Sequence, residues 1–151
     1  MPTSELTKIE KKVLIRAPRS RVWRALTTPS QFAEWFSAEV QGSFVPGERV
    51  NMTSTHPLCT GDPHFYLIVE RMEPESFFSW RWHPGAANTA EDGSTLVEFR
   101  LAEVENETLL TLTESGFDHI LLSRRAKAFE GNEHGWDVQL ESLTKYAEKA
   151  A

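Results

Sequence analysis

Polar and apolar residues alternate in "KIEKKVLIRAP". Ile9, Lys11, Val13 and Ile15 fall on one side, with Glu10, Lys12, Leu14 and Arg16 on the other. A period of two marks a half-buried strand, and the proline at position 18 stops it. The spacing then changes. "PRSRVWRALTT" reads as a short helix with Pro18 in its first turn and Val22, Trp23, Ala25 and Leu26 on its apolar side. "TPSQFAEWFS" begins a second, with Pro29 at its start and Phe32, Trp35 and Phe36 at i, i+3 and i+4.

From residue 38 to about 117 the strand period returns in "AEVQGSF", "ERVNMTSTH", "HFYLIVERM", "SFFSWRWH", "TLVEFRLAEV" and "ETLLTLTES". Turn-forming clusters separate them, among them "VPGE", "TGDP", "EPES" and "PGAANTAEDGS". Successive strands with short connections and no helix between them predict an antiparallel meander. One face is bulky: Phe78, Trp80 and Trp82 share a side, as do Val97, Phe99 and Leu101, and then Leu110 and Leu112. The longest helix closes the chain over roughly 120–148. The prediction is an α+β fold in which a curved antiparallel sheet of about seven strands grips a long C-terminal helix. Two short helices after the first strand plug one end.

Composition narrows this picture. A chain of 151 residues is most simply one domain, spanning 1–151, and is long enough to bury a core. Five Trp and nine Phe argue against disorder of the whole chain. A formal charge of -6 disfavours nucleic acid as a partner. A single cysteine excludes an internal disulfide framework and fits a reducing cytoplasm. "MPTSELTKIEKK" shows no apolar signal region, and no apolar run approaches the roughly 20 residues of a membrane span. A cytoplasmic protein without membrane contact is expected.

The C-terminal helix carries the most informative pattern. At about 100° per residue, Leu122, Ala126, Phe129, Trp136, Leu140, Leu143 and Ala147 form one stripe. Glu133 falls inside it, Asn132 at its edge, and His134 nearly opposite, so the Glu-His pair is not a dyad. A carboxylate on a buried stripe must be paired, hydrogen-bonded, protonated or facing a wet cavity. Gly131 and Gly135 lie on the polar flank, where they permit either a bend or a softened helix that opens for a ligand.

Other candidates read as structural. His56, Cys59, Asp62 and His64 are acceptable zinc ligands in kind, but their spacing matches no standard site and the prolines and glycine make a polar loop or lid. No metal and no cofactor is expected. His83 reads as a turn residue at a strand end, and Arg16, Arg19, Arg21 and Arg24 as a solvated basic face. No G-x-S-x-G elbow, P-loop, H-E-x-x-H or G-x-G-x-x-G is present.

Four stretches, "IRAPRSRVWRALTTPSQFAEWF", "VERMEPESFFSWRWHP", "LLTLTESGFD" and "RRAKAFEGNEHGWDVQLESLTKY", carry a family resemblance. The chain resembles the SRPBCC or START-like (Bet v 1-like) superfamily, and within it bacterial proteins with a domain like the activator of Hsp90 ATPase (AHSA1). The resemblance implies a helix-grip fold with a hydrophobic pocket between the last helix and the sheet. It implies no single activity, since that superfamily includes lipid carriers, polyketide cyclases and chaperone co-factors.

Pattern and resemblance together lead to one expectation: a hydrophobic or amphipathic small molecule bound between helix and sheet. Trp35, Phe36, Met52, Trp80, Trp82, Phe99, Phe129, Trp136 and Leu140 would wall the pocket, and Glu133 would orient one polar group. Two alternatives use the same fold. One is a cyclase- or hydrolase-type enzyme with Glu133 as acid or base. The other is a co-chaperone-like interaction module, with a chaperone as partner, a filled core and an exposed apolar patch. On any of these readings the protein is expected to be a monomer or a homodimer.

Overall fold

A computed structural model describes residues 8–57, 63–83, 93–120 and 122–149. Strand β1 (Lys8–Ile15) is followed by helices α1 (Arg19–Thr27) and α2 (Pro29–Phe36). Six strands come next: β2 (Ala38–Gln41), β3 (Arg49–Ser54), β4 (His64–Glu73), β5 (Phe77–Trp82), β6 (Thr95–Val104) and β7 (Glu107–Ser115). A 3-10 turn (Phe117–His119) leads into α3 (Leu122–Lys149). All seven strands form one antiparallel sheet in the order β1-β7-β6-β5-β4-β3-β2. The meander therefore runs unbroken from β2 to β7, and β1 closes on β7. This is the α+β helix-grip architecture.

Local chemistry sets the joints. Pro29 occupies the first turn of α2, where its missing N–H costs nothing. Gly116 ends β7 at a φ of 98°, a left-handed conformation, and a Cβ there would sit 3.3 Å from the Ser94 carbonyl oxygen. Gly93 allows a closer approach still: a Cβ would lie 2.3 Å from the backbone oxygen of His119.

The inner face of the sheet is aromatic. Phe78, Trp80 and Phe99 are fully buried, and Phe32 reaches Trp80 from α2 with Trp35 packed behind it. Trp80 lies 5.3 Å from Phe99, 5.4 Å from Trp82 and 5.9 Å from Phe32 between ring centroids, the tilted and edge-on packing that aromatic quadrupoles favour. Each such ring contributes about 1.5–3 kcal/mol by leaving water. The alternation read in β1 holds, with Ile9 and Ile15 buried. Lys11, on the same side, reaches Asp137 of α3 at 2.8 Å.

Polar ties then fix α3 along the α2 end of the sheet. Ser142 donates to the Trp35 carbonyl at 2.6 Å and Gln139 to the Phe36 carbonyl at 2.9 Å. Arg21 donates to the Ala147 carbonyl in the last turn, so it anchors the helix rather than belonging to a solvated face. No described helix is long and apolar enough to cross a membrane.

Candidate functional site: a buried carboxylate behind an aromatic cleft

Strand β7 continues its inward alternation one step past the leucines. Thr108, Leu110, Leu112 and Glu114 all face the core, and Glu114 is 0% exposed. A buried carboxylate must find donors, and four side chains from three elements supply them. Trp136 Nε1 donates to Oε1 at 2.8 Å, and Trp82 Nε1 to Oε2 at 2.8 Å. Thr95 Oγ1 donates to Oε2 at 2.5 Å, and Asn132 Nδ2 lies 3.0 Å from both oxygens. All four donors are neutral. Trp80 Nε1, equally buried, has no acceptor among the described residues, whereas Glu114 accepts from both Trp82 and Trp136.

Three of these donors form part of a small cleft between α3, α2 and the end of β5. It holds about 140 Å³ and is walled by Phe36, Trp82 and Trp136, with the amides of Asn132 and Gln139 at its margin. Gly131 and Gly135 complete the lining from the helix, and a Cβ built on either meets nothing within 4 Å. Neither glycine has a positive φ. An outer recess of about 380 Å³ shares Asn132, Gly135 and Gln139 with this cleft and extends to Ser54, His56 and His134.

The physical sequence is direct. Glu114 fixes the rotamers of Trp82, Asn132 and Trp136 from behind. Bare helix backbone at Gly131 and Gly135 leaves space in front of them. The result is a preformed aromatic slot with two amide groups, opening into a larger polar recess.

A family model described as "Activator of Hsp90 ATPase homolog 1-like protein" matches residues 16–148. The chain belongs to this family. Solved structures share its fold. A Mesorhizobium loti protein is 23% identical, with a TM-score of 0.78 over 95% of this chain and 98% of that one. An Arthrobacter aurescens protein is 18% identical, with a TM-score of 0.80 over 100% and 91% of the two chains. The Aha1 protein of Colwellia psychrerythraea, solved as a dimer, is 22% identical, with a TM-score of 0.73 over 94% and 96%. No curated protein matches the chain significantly.

Within this family fold the residues singled out in the sequence separate into groups. Phe36, Trp82 and Trp136 meet at the cleft. Trp35, Trp80, Phe99 and Phe129 are buried but pack into the core, where Trp35 Nε1 donates to the Ala25 carbonyl and Phe129 stacks edge-on with Phe117. Met52 borders a groove at the β2–β5 side of the sheet, and Leu140 one between α3 and β1.

Glu133 requires correction. It is exposed on α3 and lines neither the cleft nor its outer recess. Leu122 and Ala126, counted in the predicted stripe, are themselves exposed, Leu122 by 73%. They drew the stripe's centre toward Glu133. Without them the buried face turns toward Asn132, Gln139 and Ala128. His134 is exposed, as the helix angles required, on the rim of the outer recess.

The residue missed was Glu114. Its signal lay in the continuation of the Leu110, Leu112 alternation. Of the polar loop, Cys59 and Asp62 lie outside the described residues. Among the described residues no three His, Cys, Asp or Glu side chains cluster as a metal site requires.

Proposed function

We propose that this protein binds a small amphipathic molecule at the junction of α3 and the sheet, with an apolar or aromatic group in the cleft and a polar remainder across the outer recess. The observation that carries this reading is the glycine pair. Glycine in a helix interior costs about 1 kcal/mol relative to alanine. Neither packing nor backbone geometry requires it at 131 or 135, since both Cβ positions open onto empty space. What the missing side chains provide is access to Phe36, Trp82 and Trp136.

The dimensions support a ring-sized occupant. An apolar cavity of about 150 Å³ takes up a benzene-sized molecule, close to the 140 Å³ between these three aromatic walls. Asn132 and Gln139 take the polar role expected of Glu133, each offering amide chemistry at the margin. Asn132 already gives its NH₂ to Glu114 and Gln139 to Phe36, which leaves their carbonyl oxygens as acceptors for a ligand's hydroxyl or N–H. An acid–base role for Glu133 gains no support from its position.

Fragment binding tests the proposal. Small aromatic alcohols and amides are titrated into the wild type and into Gly135→Leu, whose side chain fills the mouth of the cleft. Saturable binding in the wild type and its loss in the variant support the reading. Equal binding to both, or fragments that bind with Trp82 and Trp136 undisturbed, refutes it.

A further inference from the structure

The outer face of β3 and β4 carries a second concavity, larger at about 770 Å³, which shares no lining residue with the α3 cleft. Its distinguishing feature is the state of Arg49. This side chain is solvent-exposed, yet its guanidinium lies 3.7 Å from the centroid of the Tyr66 ring and its Nε donates to Asn51 Oδ1 at 2.9 Å. Strand register explains the arrangement: Asn51 pairs directly with Tyr66, so Arg49 leans over from two residues away on the same face of β3. Stacking and the Nε bond together hold the planar fork in one orientation.

Charge pairing sets this arginine apart. Elsewhere on the sheet Arg71 is paired with Glu73, Arg81 with Glu70 at 3.0 Å and Arg100 with Glu98 at 3.6 Å. Arg49 has no carboxylate partner among the described residues, and none of the residues lining its groove is acidic. Arg49 is thus the one arginine on the strands without a carboxylate partner among the described residues, in a chain of net charge -6. Its Nη edge remains for a ligand. Around it, Thr53 and Gln41 supply neutral hydrogen-bonding groups, and His64 and His83 border the far side.

We infer that this groove is a binding site for a small oxyanion-bearing molecule, a carboxylate or phosphate monoester with an apolar body, anchored in a bidentate pair by Arg49. Because the fork is already immobilised, binding loses less side-chain entropy than a free surface arginine would. The groove volume lies within the range of small-molecule pockets.

The test is an NMR titration of the full chain with phenyl phosphate, with benzoate and with neutral benzyl alcohol. Amide signals of residues 49–53 and 64–66 and the Arg49 Nε–H signal are followed. The inference expects saturable shifts with at least one of the two anions, and the tighter of them names the oxyanion class. Benzyl alcohol is expected to produce none at the same concentrations. R49A, a substitution at an exposed position, should weaken anion binding by about tenfold or more, as loss of hydrogen bonds to a charged group implies. R49K should recover only part of it. No saturable shift with either anion overturns the inference, as do equal shifts with benzyl alcohol or unchanged affinity in R49A. Full recovery in R49K overturns the bidentate anchor. Signals of Gly131, Gly135 and Trp136 report the α3 cleft separately, so failure at one site is not confused with failure at the other.

Discussion

Replacing Glu114 by glutamine changes almost no volume, but it converts one acceptor oxygen into a donor. The present carboxylate takes bonds from Asn132 and Trp136 at Oε1, and from Trp82, Thr95 and Asn132 at Oε2. An amide can satisfy only one of these sets. With its oxygen in the Oε2 position, it keeps Trp82 and Thr95 but sets its NH₂ against the indole N–H of Trp136, which is 2% exposed. The opposite orientation strands the indole N–H of Trp82, while the Thr95 hydroxyl can rotate to accept from the new NH₂. Losing a bond to a charged acceptor costs about 1.5–3 kcal/mol, and an unsatisfied buried donor adds about 1–3 kcal/mol. Relief of carboxylate desolvation offsets part of that, leaving an expected loss of about 2–4 kcal/mol. Urea unfolding should show it as a lower midpoint at unchanged slope. The mechanism also predicts coupling. Trp136→Phe removes the stranded N–H, so Glu114→Gln should cost about 1–2 kcal/mol less in that background than in the wild type. A Glu114→Gln variant within about 0.5 kcal/mol of wild type, which is the range of an ordinary surface substitution, would refute the hub. Strict additivity of the two substitutions would refute the specific contact.

Further outcomes follow from the same geometry. Gly135→Ala should raise stability by up to about 1 kcal/mol, read by thermal unfolding, while weakening fragment binding in the cleft. A loss of stability would mean the glycine serves packing after all. Glu133→Gln, on the exposed face, should leave the unfolding midpoint within about 0.5 kcal/mol of wild type; a larger drop would return that residue to the core. Tyr146 should deprotonate above its ordinary value of 10.0, since burial, a hydrogen bond with Glu34 and the nearby negative charge of Glu34 all favour the neutral phenol. Its contribution is complete below the unfolded value and is lost as pH rises through the raised folded one. Tyr146→Phe should therefore remove part of the alkaline decline in stability, and an identical alkaline limb in that variant would contradict this.

The sequence was most legible where a period repeats. The seven strands, both short helices and the long one follow from alternation, 3–4 spacing and turn residues. Local patterns also placed Phe32, Trp35 and Phe36 together on one helix side. The site was less legible because its members come from different elements. Glu114 meets Trp82 of β5, Thr95 of β6, and Asn132 and Trp136 of α3, contacts that register and helix rotation decide together. An error of a few tens of degrees in that rotation, introduced by two apolar residues that remain exposed in the first turns, exchanged Glu133 for Asn132. The wall residues were over-counted for a related reason. Burial predicts that Trp80 and Phe99 are inside, but whether a ring lines a space or fills it depends on neighbours such as Phe32 and Phe78. The glycines, unexplained by helix propensity alone, are found lining a cleft with Phe36 and Trp82, a placement that helix pattern could not give.

The central claim is that the α3 cleft is a preformed binding site. The indole N–H groups of Trp82 and Trp136, each held by Glu114, border that cleft and give separate NMR signals. Titrating a small aromatic alcohol while following these two signals and the amides of Gly131 and Gly135 tests the claim most directly. A ligand seated in the cleft should give saturable shifts at all four positions, abolished by Gly135→Leu. Shifts that miss these positions, or that persist unchanged in the variant, would contradict it.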